Sequence, residues 1–157
     1  MVQVAIEYMI LTPVLILLIF LLPLTASAVV NSYANSRQIS ELKDVSSHLG
    51  STIEQAYFSL NHDSISPSTV TFNLGIPPLL EGYSYTINAT SRVAPISGDV
   101  IVDFNLRLSG SGVTTNSSVT LGQNVAWINS FFFSNSASAY ISATKLANST
   151  IQIRIPS

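Results

Sequence analysis

The chain has 157 residues, a length that allows one domain, or one domain with an appendage. Only 9% of the residues are charged and the net charge is −2, which leaves no basic surface for nucleic acid. The absence of cysteine rules out a disulfide framework, thiolate catalysis and a cysteine-ligated metal.

From Met1 to Val30 the only charged side chain is Glu7. The stretch is apolar on every helical face, so it requires lipid or other protein around it. It is also long enough to cross a bilayer, since about 20 helical residues suffice. Pro13 and Pro23 lie inside it, with Thr12 and Thr25 close by. Each proline removes one backbone donor, and a nearby hydroxyl is expected to take up the freed carbonyl.

Beyond Ser27 the pattern becomes amphipathic. Ile39, Leu42, Val45, Leu49, Ile53, Tyr57 and Leu60 recur at steps of three or four, with Arg37, Glu41, Lys43, Asp44 and Glu54 between them. No proline or turn cluster interrupts the two segments, so the sequence predicts one helix to about Leu60, roughly 90 Å long. Gly50 costs about 1 kcal/mol relative to alanine and suggests close packing. Asn61-His62-Asp63-Ser64 with Pro67 ends the helix.

After the helix the period is two. Strand patterns run through Val70–Leu74, Tyr83–Ile87, Val100–Leu108, Val113–Leu121, Val125–Phe133, Ala137–Thr144 and Thr150–Ile155. Turn signals at Pro77-Pro78, Glu81-Gly82, Ser97-Gly98-Asp99 and Ser109–Gly112 separate the earlier ones. The fold class is therefore α+β: a long hydrophobic N-terminal helix followed by an all-β head, expected to be an antiparallel, immunoglobulin-like sandwich. We divide the chain into an apolar helix at residues 1–30, an amphipathic continuation at 31–62 and the sandwich at 63–157.

Catalytic patterns are missing. His48 and His62 have no metal-ligand spacing around them, and no metal site or cofactor is expected. Asp99 and Asp103 read as strand-flanking surface residues, and Ser109-Gly110-Ser111-Gly112 as a turn, not a nucleophile elbow. Trp127, Phe131, Phe132 and Tyr140 suit sugar stacking, but their strand context favours core or subunit contact. We expect no enzyme.

Between Arg107 and Lys145 there is no charge at all. A surface so rich in hydroxyls and amides suits packing against copies of itself, or carrying sugars. Sequons begin at Asn88, Asn116 and Asn148. Together with the apolar segment they favour an exported head. Basic residues normally flank the cytoplasmic side of a span, yet Arg37 and Lys43 fall on the exported side. Either the orientation is inverted, or a basic leader is removed ahead of Met1; the sequons and the uncharged β region favour the second. Glu7 either lies at the headgroup level, only seven residues in, or takes a cationic partner supplied by assembly, for which the α-amino group of a neighbouring subunit is the economical candidate.

Gln3-Val4-Ala5-Ile6-Glu7-Tyr8, running into a proline-interrupted apolar helix, resembles the class III signal region of archaeal type IV pilins. That family commonly shows Gln-x-Ser-x-Glu-Tyr. Gln3, Glu7 and Tyr8 match it, and Ala5 replaces the serine. With Met1 as the mature start, Glu7 stands two positions later than the glutamate of the family. The resemblance implies a structural subunit of an adhesion pilus, a helical homopolymer at the cell surface. It implies a membrane-inserted precursor cleaved by a prepilin peptidase, then extracted by an ATPase-driven platform. Glu7, Tyr8, Pro13 and Pro23 become the expected assembly residues. Archaellins share the layout and are the nearest alternative; a single-pass anchored binding module is the next.

Overall fold

The structure is a computed structural model. It describes the backbone of residues 2–136 and 140–156, with side chains described at residue 9 and from residue 11 onward. Helix α1 spans Val2–Leu60 and contains both Pro13 and Pro23. The chain forms two compact units, Met1–Arg37 and Gln38–Ser157, and the second part of α1 belongs to the latter. Among the described residues the first buried side chain of the helix is Gln38, well past the position where the sequence pattern begins to change.

Eight strands follow: β1 (Thr69–Asn73), β2 (Tyr85–Val93), β3 (Val100–Leu108), β4 (Thr114–Leu121), β5 (Val125–Trp127), β6 (Ser130–Phe133), β7 (Tyr140–Lys145) and β8 (Ile151–Arg154). They build two four-stranded sheets, ordered β1-β7-β8-β5 and β4-β3-β2-β6. The strict alternation of Val100, Val102, Phe104, Leu106 and Leu108 puts all five side chains in the core, while Asn105 and Arg107 face out. The remaining expectation, an all-antiparallel head, is corrected at one pair: β5 runs parallel to β8, with Val125 opposite Ile151.

The segment Val125–Phe133, expected as one strand, is two. Ile128 and Asn129 carry the chain from one sheet to the other, and Ile128 N–H donates to Ile153 carbonyl at 3.0 Å. Trp127 and Phe132 both turn to the core although they stand five residues apart, so the alternation reverses phase at the change of sheet, which the apolar run Phe131-Phe132-Phe133 hides in the sequence.

One core joins both sheets and the second half of α1. Leu42, Leu49, Ile53 and Ala56 are fully buried, in one cluster with Tyr85, Ile87, Phe104, Ile141 and Ile153. The predicted stripe holds from Leu42 to Leu60, but Ile39 is 46% exposed and Gln38 takes the buried place beside it. Gln38 Nε2 donates to Glu81 Oε2 at 3.1 Å. Glu81 adopts a positive φ of 49° just before Gly82, a tight turn that presents its carboxylate to the helix. At the other end, Tyr57 Oη donates to Asn124 Oδ1 at 3.2 Å, and a Cβ built on Gly122 would collide with that hydroxyl. Glycine at 122 therefore leaves the room that the Tyr57 hydroxyl occupies against the β4–β5 connection. Ser46 and Ser117 hydroxyls share a hydrogen bond midway along.

Candidate assembly surface and sugar sites

Among the described residues of the first unit the large apolar side chains are exposed. Leu15, Ile16, Leu17, Leu18, Ile19, Phe20, Leu21 and Leu22 are all exposed, from 45% to 69%. Eight consecutive residues span every direction around a helix of 3.6 residues per turn, so the exposure is circumferential. The helix is long and apolar enough to cross a membrane. A shallow apolar groove runs along it past Met9, Pro13, Ile16, Phe20 and Leu24.

Pro13 and Pro23 both lie in uninterrupted helix and are exposed. The carbonyl deprived of its amide partner by Pro23 is that of Ile19, four residues earlier. Thr25 Oγ1 donates instead to the carbonyls of Leu21 and Leu22, each at 3.0 Å. The expected hydroxyl compensation at Pro23 is therefore not made by Thr25: its short side chain reaches only its own preceding turn. Ser27 bonds back in the same way, to Leu24 carbonyl at 2.9 Å. The backbone of Glu7 and Tyr8 is helical, and their side chains lie outside the described residues.

The other candidate residues separate cleanly. His48 Nε2 lies 2.9 Å from Leu74 carbonyl. A carbonyl only accepts, so this nitrogen carries the proton and fastens the loop after β1 to the helix. His62 Nδ1 accepts from Ser64 N–H at 3.3 Å and ties down the helix exit. Asp103 faces outward and pairs with Arg92 at 2.7 Å, whereas Asp99 belongs to the turn before β3, where its carbonyl accepts from Ala94 N–H. Among the described residues no group of three or more His, Asp or Glu is placed to hold a metal ion.

The four aromatic candidates divide. Phe132 is buried, and Trp127 sets its edge against Phe104 while its indole N–H donates to Ala89 carbonyl at 3.3 Å. Phe131 and Tyr140 are exposed, and Phe131 meets Phe133 edge to face on the outer side of β6. The sequon asparagines are all exposed: Asn88 in β2, Asn116 in β4, and Asn148 in the turn after β7.

Two features escaped sequence reasoning. Lys145 is buried, and its ammonium donates to His62 carbonyl at 2.7 Å, tying β7 to the end of α1. The signal was present, since Lys145 shares the inward phase of Ile141 and Ala143 in β7. Tyr85 is fully buried with its hydroxyl donating to Pro77 carbonyl at 2.6 Å; desolvation by burial raises its pKa well above the ordinary phenol value. No protein-family model matches the chain, and no curated protein and no solved structure matches it significantly.

Proposed function

We propose that this chain is a structural filament subunit, similar to an archaeal type IV pilin, that polymerises through the apolar half of α1. The observation that supports the reading is the circumferential exposure of residues 15–22 on a helix whose later residues are already embedded in a core. Each large apolar side chain buried between subunits contributes about 1.5–3 kcal/mol, so a bundle of such helices is strongly favoured. The precursor sits in the membrane by the same segment, is trimmed by a prepilin peptidase, and is extracted by an assembly ATPase and platform. The head then stands outside the cell on an adhesion filament, with N-linked sugar at its sequons. The protein has no catalytic role in this reading.

Electron microscopy of sheared cell-surface material tests it: the expected result is helical filaments with this chain as the repeating subunit. Recovery only as a detergent-extracted monomer overturns it and favours the single-pass anchored module, which the spanning length of the helix equally suits. Glu7→Ala is expected to leave membrane insertion intact and to reduce filament growth. Normal filaments from that variant remove the role assigned to Glu7.

A further inference from the structure

The outward face of the β4-β3-β2-β6 sheet carries an ordered row of amides. In register, Asn88 on β2 stands opposite Asn105 on β3, and Asn105 stands opposite Asn116 on β4. With strands about 4.8 Å apart, Asn88 and Asn116 are roughly 10 Å from each other across the row. All three asparagines are exposed. Only the outer two head sequons, Asn88-Ala89-Thr90 and Asn116-Ser117-Ser118. A strand turns residues i and i+2 to one side, so each sequon presents its asparagine and its hydroxyl residue together. Thr90 and Ser118 indeed flank Asp103 in the next row of the same face.

The central asparagine has a definite task. Asn105 Nδ2 donates to Asn116 Oδ1 at 2.6 Å. That bond holds the Asn116 carboxamide by its oxygen and leaves Nδ2, the atom that bonds to sugar, on the side away from the donor. Asn148 stands apart, in a turn where its Oδ1 accepts from Thr150 N–H.

We propose that this sheet face is a carbohydrate-bearing surface with paired N-linked glycans at Asn88 and Asn116, and that Asn105 is the positioning residue for the second. The step joins the asparagine Nδ2 to the anomeric carbon of a phosphate-activated saccharide. The anomeric carbon–oxygen bond to phosphate breaks, the phosphate leaves with the electron pair, and the amide gives up one proton. Two glycans on one face make it a solvent-facing surface and direct subunit contact to other parts of the head. The inference rests on the exported head of the filament reading.

Peptide mapping by mass spectrometry of the full chain from its native source tests it. Cleavage after Lys43, Arg92, Arg107, Lys145 and Arg154 places the three sequons in separate peptides, 44–92, 108–145 and 146–154. The expected result is a saccharide mass on both 44–92 and 108–145. Thr90→Ala removes only the first and Ser118→Ala only the second. Asn105→Ala lowers the modified fraction of 108–145 at least twofold and leaves 44–92 unchanged, a split that general destabilisation does not produce. Bare 44–92 and 108–145 peptides, sugar confined to 146–154, or masses that survive both hydroxyl substitutions overturn the proposal. Equal loss at both sites in Asn105→Ala overturns the role of Asn105. Protease treatment of intact cells separates the two levels: a head cleaved from outside yet bare overturns the glycan proposal alone, while an inaccessible head overturns the filament reading with it.

Discussion

The two parts of α1 solve the same problem differently. Residues 15–22 leave about half or more of each apolar side chain exposed, whereas Leu42, Leu49 and Ile53 are completely buried within the same helix. Propensity does not distinguish them, since both lie in one helix and both carry breakers, Pro13 and Pro23 in the first part and Gly50 in the second. What differs is the partner. The later part buries a stripe against its own head, and the earlier part has a full apolar circumference that one head cannot cover. A stripe is satisfied within the chain; a circumference calls for lipid or for several copies of the helix.

The sharpest way to break this contrast is to truncate one residue of each kind. Leu49→Ala is expected to destabilise the head by about 2–5 kcal/mol through the cavity it leaves. Leu17→Ala should leave head unfolding unchanged. Thermal unfolding of the full chain in detergent micelles, followed by the fluorescence of Trp127, the single tryptophan, checks both. Equal shifts in the two variants would erase the distinction between the two parts of the helix.

Gly122→Ala should cost about 1–3 kcal/mol, because the new methyl meets the Tyr57 hydroxyl. Adding Tyr57→Phe to it should recover part of that loss in the same melt, since the nearest atom is gone while Asn124 Oδ1 and the ring carbon Cζ stay close to the methyl, at 3.1 and 3.2 Å. Tyr85→Phe should cost about 1 kcal/mol at neutral pH for the bond to Pro77. Burial keeps the folded Tyr85 protonated while the unfolded phenol ionises near pH 10, so the stability it supports is intact below about pH 10 and is lost as pH rises further, by about 1.4 kcal/mol per unit. Melts across pH 9 to 11 should therefore decline less steeply in Tyr85→Phe than in the parent. The smallest effect has the opposite sign. A methyl on Gly50 meets only Val119 Cβ at 4.0 Å, an ordinary contact. Gly50→Ala should stabilise the head by about 0.5–1 kcal/mol, which also corrects the expectation that this glycine is needed for close packing.

The end of the helix was legible to within two residues, because Leu60 closes the stripe and Asn61 to Pro67 cannot continue it. Strands β3 and β4 were legible for the same kind of reason, whereas β2 runs to Val93, past the Tyr83–Ile87 pattern, because its last four residues are all exposed and carry no alternation. Strand partners were not. Nothing in Val125-Ala126-Trp127 says that it lies parallel to β8, and nothing in Asn88, Asn105 and Asn116 says that they share a row. Period fixes which side a residue faces, while register depends on turn geometry and on packing between distant segments. Ile39 failed for a related reason: the stripe drifts around the helix at its end, and Gln38 reaches Glu81 in its place. The sequons were readable one by one, but their grouping needed the sheet.

Because one continuous helix enters the core, its attachment has a mechanical character. Buried side chains from Leu42 to Leu60 extend over roughly 27 Å at ~1.5 Å per residue. A pull along the helix loads Leu42, Val45, Leu49, Ile53 and Leu60 side by side, in shear, instead of peeling them off in turn. The Lys145 ammonium on the His62 carbonyl bolts the far end. Such a joint shares an axial load among all its buried side chains at once, so the second part of α1 and the two sheets respond to it as one piece.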